Sequence, residues 1–225
     1  MAPKKQKPKR RLTPAQQKQK SNRMTWIAIA AIVAVVVIFG ALAASGILGN
    51  RSDTVDLGPT PDPIEPTKVV LETTAGNITI DLRVDKPITS TNFIDLVNAG
   101  EYDNTSFYRT VAGFVIQGGK GIMGGDLPEI RDEIGTNNRN TKYTIAMANH
   151  GVNSASSEFF INLVDNGQRT SGFDSKYTVF GTVIDGQDVV DMIANAPVTS
   201  DPSIMSGEES IPIDPVVILR ATVLP

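Results

Sequence analysis

In the stretch SFYRTVAGFVIQGGKGIMGGD, residues 106–126, two side chains do not belong with their neighbours: Arg109, set between aromatics, and Gln117, closing the run Phe114-Val115-Ile116-Gln117. A strand of this composition buries its apolar residues, and an unpaired buried charge there is expensive. The pattern therefore calls for a guanidinium fixed beside an apolar patch. Other chemistries are short of residues. There is no cysteine, hence no disulfide, thiol nucleophile or thiolate metal site. The single histidine, His150, rules out a multi-histidine metal centre and leaves any Ser-His-Asp hydrolase dependent on it alone. Ser154, Ser156 and Ser157 come after it without a nucleophile-elbow pattern and read as turn formers, with His150 an exposed loop residue. The segment GGKGIMGG, 118–125, lacks the Gly-Lys-Ser/Thr ending of a phosphate loop. Its glycines read instead as tight turns beside a site.

The elements that must hold these residues are mainly strands. Val69–Thr73 and Asn77–Arg83 flank Ala75-Gly76 in a strand-turn-strand pattern. Further strands are predicted around Phe107–Thr110, Phe114–Gln117, Tyr143–Ala148, Glu158–Leu163 and Tyr177–Val183, and in the closing PVVILRATVL. Two helices interrupt them. One runs through PITSTNFIDLVNAG, with Phe93, Leu96 and Val97 at helical spacing as core residues and Gly100 at its stop. The other spans Gln187–Ala194, with Val189, Val190 and Ile193 on one face. Many strands with two separated helices point to a barrel or sandwich carrying helices at its ends.

Charge divides the 225 residues sharply. Nine of the 21 basic residues precede position 24, and no acidic residue occurs before Asp53. A basic nucleic-acid tail is one reading of residues 1–23, but the uncharged run beginning at Met24 argues against it. Residues 24–50 carry no charge at all, and a bilayer core of about 30 Å is spanned by about 20 apolar helical residues. Residues 24–48 are thus predicted as a single transmembrane helix, Trp26 lying near one interface and the basic tail remaining cytoplasmic. A cleaved signal peptide is the competing reading, since Ala41-Leu42-Ala43 fits a small-residue cleavage site. Residues 49–67 hold four prolines and read as a semi-extended linker. Residues 68–225 then form one domain of ordinary size.

Three motifs recur in order along that domain: FYRTVAGFVIQGG at 107–119, IAMANHGVNSASSEFFINL at 145–163 and FDSKYTVFGTVIDGQDVVDMI at 173–193. Together they resemble the cyclophilin family of peptidyl-prolyl cis-trans isomerases, over about residues 68–225. The resemblance implies a mainly β fold, an eight-stranded antiparallel barrel capped by two helices, with the active groove on its outer face. It implies acceleration of X-Pro isomerisation in proline-containing polypeptides, with no cofactor, no metal and no nucleic-acid partner. By position, the catalytic arginine falls on Arg109 and the glutamine that orders it on Gln117. The proline pocket falls on Phe114, Val115, Phe160 and Phe173, and the peptide-lining segment on Ala148 and Asn149. Tyr177 stands where many members have histidine.

Departures from the family pattern are also visible. Glu158 replaces the usual glutamine, placing a carboxylate near the groove that either pairs with Arg109 or faces another partner. Gly172 stands where many eukaryotic members have tryptophan, and the loop Val164–Gly172 is longer than in compact members. The expected protein is a membrane-anchored prokaryotic isomerase, single-pass, its C-terminal domain outside the cytoplasm and acting on exported chains. The alternatives are a non-catalytic module that binds proline segments or scaffolds a membrane complex, and a general holdase.

Overall fold

Alternation of side chains sets the first hairpin. In the computed structural model, which describes residues 61–120, 127–170, 172–201 and 208–225, strand β1 (Lys68–Thr73) buries Val69 and Leu71 and exposes Lys68 and Glu72. Strand β2 (Gly76–Leu82) buries Ile78, Ile80 and Leu82 in the same period of two. The Thr73 hydroxyl closes the predicted turn, donating to the Gly76 carbonyl at 2.6 Å and accepting from the Ala75 N–H at 3.1 Å. The predicted basic tail, the transmembrane segment 24–48 and linker residues 49–60 lie outside the described residues. Residues 61–67 are irregular. Among the described residues no helix is long and apolar enough to cross a membrane.

Helix α1 (Pro87–Asn98) begins with proline at its first turn, where no N–H is needed. No residue of its own caps it. The Glu133 carboxylate does so from 44 to 45 residues away, accepting from the Ile88 and Thr89 N–H groups at 3.2 and 2.8 Å. A carboxylate at this end also suits the helix dipole. As predicted, Phe93, Leu96 and Val97 are buried. The Phe93 ring meets Tyr102, Phe159 and Phe180 at centroid distances of 5.0, 5.8 and 5.0 Å. Burying a side chain of this size contributes about 2–3 kcal/mol.

The remaining strands are β3 (Thr105–Ser106), β4 (Arg109–Val111), β5 (Val115–Gly118), β6 (Thr144–Met147), β7 (Phe159–Asn162) and β8 (Val179–Asp185), followed after a helix by β9 (Val198–Ser200), β10 (Glu209–Pro212) and β11 (Val217–Val223). Helix α2 is a single turn at Asn166–Arg169, and α3 spans Gln187–Ala194 as predicted, burying Val189, Val190 and Ile193. Among the described residues nine strands form one antiparallel sheet in the order β3-β11-β1-β2-β8-β6-β7-β5-β4, and β9 with β10 makes a separate ribbon.

The expected count of eight strands needs correction, and the reason is local. The predicted strand Phe107–Thr110 is divided. Just before it β3 pairs with β11, and the Phe107 N–H donates to the carbonyl of Val216, the residue preceding β11, at 3.0 Å. From Arg109 the chain pairs with β5 instead. The two ends of the sheet, β3 and β4, are therefore separated by only Phe107 and Tyr108, and the sheet must curl to bring its ends together. The result is a curled antiparallel sheet wrapped on one apolar core, with a ribbon and a helical turn that the sequence patterns did not indicate.

Candidate active site

Register places the site. Across the ladders, Arg109 is opposite Gln117, Gln117 opposite Phe160, Phe160 opposite Ala146, and Ala146 opposite Val179. Residues directly opposite one another lie on the same face of a sheet. One row thus crosses five strands on the outer face, running from a cation through an amide to apolar side chains. Here a second apolar cluster forms, distinct from the main core: Val115, Ala146, Phe160, Phe173 and Val179, with Phe114, Ala148 and Tyr177 packed against it.

Phe173 enters this cluster from a short 3-10 turn, Phe173–Ser175. Its ring stands 5.6 Å from both Phe114 and Phe160 and 4.6 Å from Tyr177, while Phe160 meets Tyr177 edge-on at 5.3 Å. Polar groups fix the turn. Asp174 accepts from the Asn140 N–H at 2.7 Å, and Asn138 donates to the Asp174 and Tyr177 carbonyls at 2.6 and 2.8 Å. Burial alone would push the Asp174 carboxyl up, but the hydrogen bonds from Asn140 and Arg139 outweigh it and hold its pKa below the usual carboxylate value. Gly172, just before, has φ of 78°, so a residue with a side chain would be strained there.

A cavity of about 470 Å³ opens over this face. All ten residues singled out in the sequence line it: Arg109, Phe114, Val115, Gln117, Ala148, Asn149, Glu158, Phe160, Phe173 and Tyr177. The sequence reading missed Lys120 and Leu127 and treated His150, Ser154, Ser156 and Ser157 as bystanders, yet these six also line it. No periodicity marks them, since they come from loops. Ser154 is nonetheless a turn former, accepting from the His150 N–H and donating to the Gly151 carbonyl, both at 2.9 Å. Among the described residues no group of three or more His, Cys, Asp or Glu could hold a metal ion.

The glycines at the end of β5 serve packing. Gly119 has φ of 78°, and a Cβ there would stand 2.6 Å from the Ser157 carbonyl oxygen and 2.7 Å from Phe159. Only glycine lets the chain pass this close to the segment entering β7. Residues 121–126 of the glycine-rich segment lie outside the described residues.

The polar side of the cavity is arranged around Tyr108, which the sequence reading did not single out. Its hydroxyl donates to Glu158 Oε2, and Gln117 Nε2 donates both to that hydroxyl and, at 3.0 Å, to the same Glu158 oxygen. Burial first, and then the hydrogen bond to Glu158, push the Tyr108 hydroxyl well above the ordinary tyrosine pKa. Of the two expectations for Glu158, the structure selects the second: its carboxylate accepts from Tyr108 and Gln117. Arg109 pairs instead with Glu208, its Nε and Nη2 donating to Oε1 at 3.2 and 2.9 Å. Asn149 donates to the Lys176 carbonyl at 2.7 Å, which ties the Ala148-Asn149 segment to the turn carrying Phe173.

Residues 68–223 match the family described as cyclophilin type peptidyl-prolyl cis-trans isomerase/CLD. A peptidyl-prolyl cis-trans isomerase of Streptomyces antibioticus is 39% identical over 166 residues, covering 69% of this chain and 98% of that protein. Peptidyl-prolyl cis-trans isomerase A of Dickeya dadantii is 36% identical over 171 residues, covering 70% of this chain and 85% of that protein. Among solved structures, a cyclophilin-type peptidyl-prolyl cis-trans isomerase of Cryptosporidium parvum superposes with a TM-score of 0.61 at 27% identity, covering 72% of this chain and 99% of its own. The same protein, determined in the presence of the dipeptide Ala-Pro, gives 0.59, also at 27% identity, covering 70% of this chain and 99% of its own.

Proposed function

The chain belongs to the cyclophilin-type peptidyl-prolyl cis-trans isomerase family, and on that premise we propose that it turns X-Pro bonds in exported polypeptides while tethered to a membrane by residues 24–48. Isomerisation of X-Pro bonds is the activity that its relatives carry in their names. The observation that supports Arg109 as its centre is the row from Arg109 through Gln117 to Phe160, a cation at the border of an apolar pocket.

A peptide bond is held planar by resonance, and rotating it costs about 18–20 kcal/mol. At X-Pro bonds the two isomers lie close in energy but exchange over tens to hundreds of seconds. Rotation requires the prolyl nitrogen to withdraw its lone pair from the carbonyl and become pyramidal. A guanidinium directed at that nitrogen stabilises the decoupled state more than the planar one, which lowers the barrier. Phe114, Val115, Phe160 and Phe173 grip the pyrrolidine ring, and the Ala148-Asn149 segment holds the flanking chain, so only one side turns. Bringing a ~10 s event to ~1 ms needs about 5–6 kcal/mol, within reach of a few such contacts.

The context of export rests on the chain's N-terminal part. Nine cations precede an uncharged run from Met24 to Asn50, and moving the cations across a bilayer is the costlier orientation. Protease added to intact spheroplasts expressing the full chain should remove the isomerase domain and spare a small basic membrane-bound fragment. Protection of the domain until lysis would reverse the orientation. A freely soluble domain with a new N-terminus near Ala44 would make the apolar run up to about residue 43 part of a cleaved signal.

A further inference from the structure

For a guanidinium to stabilise a pyramidal prolyl nitrogen it must be aimed as well as present, and the residue opposite Arg109 grips it weakly. Gln117 Oε1 is 3.5 Å from Arg109 Nη1, at the limit of a hydrogen bond, while the Gln117 amide nitrogen is engaged by Tyr108 and Glu158. The firm contact comes from elsewhere. Glu208 Oε1 accepts from both Nε and Nη2, at 3.2 and 2.9 Å, along one edge of the guanidinium plane. Two bonds along one edge fix the plane of an arginine, which a single contact at Nη1 does not. The Nη1 end is left turned toward Gln117.

Glu208 is itself held. Its carbonyl accepts from the Asp201 N–H at 2.8 Å, closing the β9–β10 ribbon, and β10 lies beside β4, the strand that carries Arg109. The pair is half-buried, with side-chain exposures of 25% for Arg109 and 30% for Glu208, so water screens it less than it would a surface pair. Arg109 lines the cavity, whereas Glu208 is not among the described residues that do. The carboxylate therefore holds the arginine without occupying the substrate's place.

We propose that Glu208 is the positioning residue for Arg109, taking the orienting role that Gln117, drawn off by Tyr108 and Glu158, fills only in part. The inference rests on Arg109 acting at the prolyl nitrogen. It predicts a loss expressed in turnover, since a loosened guanidinium still leaves the apolar pocket able to bind.

The test is a protease-coupled assay of an X-Pro peptide with the full chain and its variants, each checked for an unchanged circular dichroism spectrum. Glu208→Ala should lower kcat by about tenfold with KM unchanged, and Glu208→Gln, which keeps an acceptor in place, should stay within about threefold of the parent. Lysine presents a point charge with no plane to orient. In an Arg109→Lys background, Glu208→Ala should therefore cost less than about twofold. Unchanged or raised activity in Glu208→Ala overturns the proposal, the second by showing that the carboxylate damps the cation. A loss carried by KM, or one equal in both backgrounds, overturns it too, making Glu208 a structural support of the ribbon. If Arg109→Lys matches the parent, it is the role of Arg109 that fails, and the two failures are told apart.

Discussion

Gln117 stands directly across the β4–β5 ladder from Arg109, yet its amide nitrogen is bonded to Tyr108 and Glu158 and only its Oε1 approaches the guanidinium, at 3.5 Å. The two residues share a face because of register, while their partners are set by what surrounds them. The cation leans on Glu208 and the amide on a tyrosine-carboxylate pair, so Arg109 and Gln117 belong to two small networks that meet at one side of the groove.

Arg109→Ala should lower kcat/KM for an X-Pro test peptide by at least about a hundredfold, equivalent to some 2.7 kcal/mol of lost transition-state stabilisation. The side chain is only partly buried, so the fold should persist. Equal kcat/KM for parent and variant, in the coupled assay with an unchanged far-UV spectrum, would remove Arg109 from the chemistry.

Glu158 is predicted to act through Tyr108 and Gln117 and not as a competitor for Arg109. Glu158→Ala leaves a half-buried hydroxyl and an amide without their shared acceptor, an effect of about 1–3 kcal/mol on stability. Glu158→Gln retains an acceptor and should recover most of that loss. Since Glu158 is engaged by Tyr108 and Gln117 while Arg109 is paired with Glu208, the glutamine variant should not exceed the parent in kcat/KM. A clear activation would show that the carboxylate restrains the cation after all.

Phe173→Ala should destabilise the domain by about 3 kcal/mol, because the ring is buried and in contact with three other aromatics. It should also raise KM for the peptide more than it changes kcat, since the ring serves as pocket wall. Urea denaturation together with steady-state kinetics reads both effects. A lowered kcat at unchanged KM would contradict the assignment.

Asp174 gives the domain a defined acid sensitivity. Its folded pKa lies below the unfolded value of 3.8, so its contribution is present above that value and is lost as pH falls through the folded pKa. Stability measured between pH 5 and pH 2 should therefore decline, and Asp174→Asn should flatten part of that decline. The same variant should cost about 1–2 kcal/mol at neutral pH, since Asn140 and Arg139 lose a charged acceptor. Parallel pH profiles for parent and variant would remove Asp174 from the acid response.

The sequence by itself determined what depends on near neighbours. The strand-turn-strand pattern around Ala75-Gly76, with alternation in Asn77–Arg83, set the first hairpin, and helical spacing set α1 and α3 with their buried faces. The resemblance carried by the ordered motifs named ten groove residues, all of which line one cavity. Strand and helix periods, and motifs within one loop or strand, are local properties of the chain. Tertiary structure decided the rest. Whether the stretch around Phe107 formed one strand or two depended on β11, more than a hundred residues away, pairing just before it, while β5, its near neighbour, paired just after it. The cap of α1 comes from Glu133, and the partner of Arg109 lies 99 residues along the chain at Glu208. No spacing rule reaches that far. A carboxylate in a stretch of mixed polarity has no pattern to mark it until the curl of the sheet and the β9–β10 ribbon bring it to the guanidinium that must be held in plane.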